Sequence, residues 1–212
     1  MTLKSYSEDH QKIITNAIRT VGLNISDIEG KSYGPQSHKG AMVISSDPGQ
    51  DNLNSRLVNV NSIAELKAIG GIADSHFESA GDKHVDYPED ALKTDVGAAI
   101  ERARLDSCSL ESLLHPDDHA VVDQAMMAYL NGNSAKVKDF EPVINALRFP
   151  MQILVTAGED ITVTKDNPLI IGQDSPHVQG GKAIFGTVTV EEGGQIQILI
   201  PVTFEAAQMI LK

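Results

Sequence analysis

Residues 183–202 read AIFGTVTVEEGGQIQILIPV, and this stretch narrows what the chain can become more than any other. Apolar side chains fall on even positions (Ile184, Val188, Val190, Ile196, Ile198, Ile200 and Val202), with Thr187, Thr189, Gln195 and Gln197 between them. A period of two puts one face on a core and the other on solvent, the pattern of a half-buried strand. In an antiparallel pair, Val188 must meet an even-numbered partner or the apolar face is lost. A three-residue loop, Glu191-Glu192-Gly193, satisfies this by pairing Val188 with Ile196 and Gly186 with Ile198. Gly193 then takes the left-handed position at no steric cost.

The preceding stretch, MQILVTAGEDITVTKDNPLIIGQD, carries its apolar residues on odd numbers: Met151, Ile153, Val155, Ile161, Val163, Leu169 and Ile171. Turn-forming residues interrupt it at 157–160, at Lys165-Asp166-Asn167-Pro168 and at Asp174-Ser175-Pro176. The pattern V-T-x-[GE]-x-x-I-x-[VI] occurs at 155–163 and, with two inserted residues, at 188–198. Both occurrences fit hairpins. Short strands at this spacing predict a small antiparallel β-sandwich or partial β-barrel over residues 149–212.

Residues 1–148 read differently. An amphipathic helix is expected over 5–22, with Ser5-x-x-Glu8 as capping box, a stripe of Ile13, Ile14, Ala17, Ile18 and Val21, and Gly22 at its exit. Residues 31–56 are turn-rich. The runs Ala41–Ile44 and RLVNVNS are candidate strands completing the C-terminal sheet. A short helix follows at 62–72. A helix from Pro88 carries Leu92, Val96, Ala99, Ile100 and Ala103, one from Pro116 ends at Asn131-Gly132, and a fourth segment spans 139–149. The expected fold class is therefore α+β: a helical N-terminal part, 1–148, followed by the β part, 149–212. A sheet of that size needs the helices or a second subunit to cover it.

The chain has 212 residues, 17 basic against 29 acidic, for a net charge of −12. Nucleic-acid backbones and anionic membranes both reward Lys and Arg, so neither is expected as a partner. With no Trp, four Tyr and five Phe, a stacking platform for sugars or bases has little to build on. The single cysteine, Cys108, excludes a disulfide within the chain and fits a reducing, cytoplasmic setting. The first twenty residues lack the apolar core of a signal peptide.

Two segments carry residues capable of chemistry. In GIADSHFESAGDKHVDYPED, Asp74-x-His76 precedes Asp82-x-His84-x-Asp86. Imidazole and carboxylate together suit a divalent iron, manganese or zinc ion. In an extended segment, His84 shares a face with Asp82 and Asp86, so His76, Asp82, His84 and Asp86 form the candidate metal set. In LLHPDDHAVVDQAMM, His115 and His119 lie four apart, but Pro116 is expected to open a helix that leaves His115 outside. Asp117 and Asp118 suit that helix's positive end. The loops GPQSHKG and DSPHVQGGK hold His38 and His177, without the G-x-S-x-G turn of a serine nucleophile.

No cofactor is expected from these patterns. The leading expectation is a non-catalytic binding or self-assembly protein, a homo-oligomer or a module for an unidentified protein or small-molecule ligand, using its β surface. The alternative is a divalent-metal hydrolase or non-haem iron oxidase built on residues 74–86.

Overall fold

A computed structural model describes residues 6–173 and 178–212. The turn expected at Asp174-Ser175-Pro176, His177 and the proposed cap Ser5 lie outside the described residues. The chain is α+β and divides into two compact units, one of residues 1–59 with 152–212, the other of 60–151. The second is thus an insertion in the sequence of the first. Among the described residues no helix is long and apolar enough to cross a membrane.

The first unit opens with α1 (Glu8–Thr20), capped by Ser7, whose hydroxyl accepts from the amide of His10. Ile14, Ala17 and Ile18 are buried, and Gly22 leaves the helix at φ 68°. Three short strands follow: β1 (Ser32–Tyr33), β2 (Met42–Ile44) and β3 (Arg56–Val60). After the second unit come β4 (Met151–Val163), β5 (Leu169–Ile171), β6 (Gly181–Val190), β7 (Ile196–Ile198) and β8 (Val202–Leu211). Both strands expected from the turn-rich segment are therefore present and join the C-terminal strands.

Their pairing overturns the antiparallel sandwich. One sheet runs β1-β4-β6-β8, with β3 also on β4, and the other runs β2-β5-β7. Along both orders every neighbour is parallel. From β4 onward the chain alternates between the two sheets, so it winds as a coil of stacked rungs instead of folding back in hairpins. Val188 meets Ile161 and Met209, not Ile196. Ile196 sits in the other sheet, beside Leu169. Gly193 is left-handed as expected, at φ 76°, and the Gly194 amide donates to the Glu191 carbonyl. The loop turns a corner between sheets, however, instead of reversing the chain. Alternation fixes which side chains share a face, and that requirement is the same in parallel and antiparallel ladders.

The long strands bend at one level. Register runs Gly158 to Phe185 and resumes with Asp160 to Thr187, leaving Glu159 and Gly186 out of alternation; Ala207 drops out at the same level of β8. Leu154, Ala183 and Phe185 face the core before the bend, and Ile161, Val163 and Val188 face it after. One residue out of step bends a strand and re-aims its faces. The turn expected at 157–160 is this bend inside a continuous strand. Gly186 is required there, since a Cβ would lie 2.4 Å from the Glu159 carbonyl oxygen and 2.8 Å from the Tyr6 hydroxyl.

On the far side of the first sheet, α1 packs against β6 and β8. This covers the face of β6 that would otherwise expose Ile184. The Tyr6 phenol, pushed up to about 12 by burial and then by its bond to Asp160, also touches the Thr187 hydroxyl at 2.6 Å.

Asn167 closes the corner between β4 and β5. Its side-chain amide donates to the carbonyls of His38 at 2.9 Å and Gly40 at 2.8 Å, and the residue is buried. Asn167→Ala leaves both carbonyls short of a donor and is expected to lower stability by about 1–3 kcal/mol. Urea unfolding followed by circular dichroism measures this. A loss near zero would mean that water replaces the amide.

In the second unit, α2 (Ile63–Gly70), α3 (Asp74–Ala80), α4 (Val96–Asp106), α5 (Asp118–Asn131) and α6 (Glu141–Arg148) surround a core of Ile63, Val122, Ala125, Val143 and Ile144. The helix expected from Pro88 begins only at Val96, where Asp95 accepts from the Ala98 amide. The amides of Lys93 and Thr94 are instead held by the buried Asp118 carboxylate, at 2.8 and 2.9 Å. That ties the segment outside any helix. The helix expected near Pro116 begins at Asp118, leaving His115 outside as anticipated.

Candidate functional site

Each residue of the metal set has a definite place in the second unit. Asp74-x-His76 lies on α3, and Asp82–Asp86, expected to be extended, forms a turn in which the Val85 amide donates to the Asp82 carbonyl. His76 packs edge-on to the buried Phe77 with centroids 5.3 Å apart, and His84 lies on the same ring at 6.4 Å. Asp82 turns to other partners: it accepts from the Tyr87 hydroxyl at 2.6 Å and pairs with Lys136 at 2.8 Å. Lys136 first, then Tyr87, holds its carboxyl below the usual range. His84 and Asp86 line an open groove of about 480 Å³ with Ile72, Asp123 and Met127. Among the described residues no group of three or more His, Cys, Asp or Glu side chains is gathered as a metal ion requires.

The other candidates are tied into local structure. His115 has its Nδ1 3.6 Å from Asp117, which also pairs with Lys93. The Ser37 hydroxyl is 2.9 Å from His38 Nδ1, yet it also accepts from the Gly34 amide, while His38 Nε2 meets the Asn52 carbonyl at 2.9 Å. This loop is locked by its own polar atoms. A hydroxyl shared among turn partners is poorly placed to attack a substrate.

The least explained surface is the last rung of the coil. Ladder pairing puts Ile44, Ile171 and Ile198 in one column, and Ile161, Val188 and Met209 in another. A third runs from Val163 through Val190 to Leu211. Within the coil these columns are buried, with Val190 partly so. At its end Ile198 is 54% exposed, Met209 56% and Leu211 74%, with Leu199 beside them at 59%. Side chains aimed at a core thus reach the last rung with nothing above them among the described residues. Beyond the Ala206–Leu211 half of β8, no described strand pairs with its backbone. An exposed apolar edge of this kind is a template for further strand pairing.

The sequence reading missed this end because it folded β7 back onto β6. A usable signal was present. Ile161, Val163, Leu169 and Ile171 recur as Val188, Val190, Ile196 and Ile198, each 27 positions on, and the register joins those same pairs.

The features above define a class of protein: a short parallel β-coil with a helical unit inserted in its sequence. No protein-family model, no curated protein and no solved structure matches this chain.

Proposed function

We propose that this is a non-catalytic assembly protein that associates through the open end of its β-coil. The observation that carries the reading is the change along the apolar columns, from fully buried Ile161 and Val188 to Met209 at 56% exposure. Stacked-rung proteins need a polar terminal rung or a cover to remain dispersed. Here the terminal rung keeps the core's residue types. The side chains with the most familiar chemistry, Asp82, Asp118 and Ser37, are engaged in holding structure. Cys108 as the sole cysteine supports a reducing, cytoplasmic setting.

The experiment is sedimentation velocity of untagged wild type beside the double variant Met209→Lys, Leu211→Lys. Both positions are exposed in the isolated chain, so the variant should fold. Burying a side chain of this size contributes roughly 1.5–3 kcal/mol, so losing two should weaken association by about 100-fold or more. Wild type should be associated at micromolar concentration and the variant monomeric. A monomeric wild type, or an oligomer indifferent to the substitutions, would refute the reading.

A further inference from the structure

We infer that the occupant of the open end is a second copy of this chain, seated end to end about a two-fold axis, with the Ala206–Leu211 half of β8 antiparallel to its own counterpart. This rests on the assembly reading above and adds to it the partner, the symmetry and the limit at two copies.

The two ends of the coil differ. In the first rung Met42, Ile44 and Leu53 are fully buried or nearly so. Tyr33 is buried beside them and donates its hydroxyl to the Leu53 carbonyl at 3.0 Å. Segment 45–55 thus closes that end, bringing Leu53 onto the core. A head-to-tail stack needs the last rung of one copy to sit on the first rung of the next, and the first rung has no apolar column left to offer. At the first-rung end the edge strand β3 exposes one large apolar side chain, Leu57, whereas the last rung gathers Ile198, Leu199, Met209 and Leu211, so its best match is another last rung. Two identical patches meeting face to face form an isologous contact, which closes at a dimer. Strands related by a two-fold axis perpendicular to them run antiparallel.

Charge points to the same face. At net −12, two copies repel over most of their surfaces. Val202–Leu211 holds one ionisable side chain, Glu205, and the Lys182 ammonium lies 3.0 Å from its carboxylate. Copies can approach there with little added repulsion. The strand also lacks the usual guards of a solvent-facing edge, since no Lys or Pro interrupts it.

The test uses the full chain with Cys108→Ser as background. Gln208→Cys places a thiol on the exposed side of β8, and Gln36→Cys places one in the loop after β1, at the closed end. A short bis-maleimide should join Gln208→Cys chains to one another and leave Gln36→Cys chains single. Sedimentation should show no species larger than a dimer as concentration rises a hundredfold. Cross-linking between the Gln208→Cys and Gln36→Cys proteins when mixed, or assemblies growing past two, would overturn the two-fold pairing. Either result would still leave the open end as the associating surface, provided that Met209→Lys with Leu211→Lys abolishes association. If that double variant associates like wild type, the assembly reading itself falls, and the pairing with it.

Discussion

Replacing Lys67 by methionine should destabilise the helical unit by roughly 1–3 kcal/mol, the range for buried carbonyls that lose their donor. The Lys67 side chain is 10% exposed, and its ammonium has three acceptors: the Tyr129 carbonyl at 2.7 Å, the Gly132 carbonyl at 2.7 Å and Asp74 at 2.9 Å. The two carbonyls end α5, where a helix leaves carbonyls unpaired and favours a cation. Asp74 in turn accepts from the amide and hydroxyl of Ser134, at 2.9 and 2.6 Å. Methionine keeps the apolar stem and strips every donor, so two carbonyls lose their partner and Asp74 is left with Ser134 alone.

Acid should weaken the same contact. Burial pushes the Asp74 carboxyl up, but Ser134 and Lys67 outweigh it and hold the group below its ordinary range. A depressed carboxyl contributes stability above the unfolded-state value, and that contribution is lost as pH falls through the folded-state value. The gap between wild type and Lys67→Met should therefore narrow below about pH 4. Amide hydrogen exchange in α2 and α5, compared at pH 7 and pH 3.5, reads this directly. A gap that does not change with pH would leave only the two carbonyls as the cause.

Phe185→Ala is expected to cost the coil about 3–5 kcal/mol through lost burial and the cavity left behind. The ring is fully buried, 6.3 Å edge-on from Tyr33 and 5.9 Å from Phe204. It thus bridges the first rung and the last, through one strand. Removing it should also loosen Tyr33 and speed exchange in the segment that closes the first rung. Phe185→Leu restores most of the volume and should recover most of the stability. Without Trp, circular dichroism is the natural probe for urea unfolding. If Phe185→Ala loses under about 1 kcal/mol, the surrounding side chains collapse into the space and the bridge is not needed.

Much of the local structure was legible in the residues. Gly22 and Gly193 mark boundaries that the chain observes, because left-handed turns depend on one residue and its neighbours. The helix from Pro88 was misplaced for the opposite reason. Asp118, distant in sequence, holds the Lys93 and Thr94 amides and so decides where α4 begins. The surroundings of the candidate metal residues depend on distant partners in the same way. Asp82–Asp86 was expected to be extended, whereas the Val85 amide bonds back to the Asp82 carbonyl in a turn, and Tyr87 and Lys136 engage the Asp82 carboxylate.

By itself the sequence determined which side chains alternate, which residues turn the chain and which charges repel a partner. Only the tertiary structure decided that Val188 faces Ile161 and Met209 in place of Ile196, and hence that the strands coil in parallel and end on an exposed rung. Alternation is a property of one strand, and it is satisfied equally by any partner of the right parity. The choice among partners rests on which arrangement covers Phe185, Ile161 and Leu169 together, and that is settled by contacts far apart in the chain.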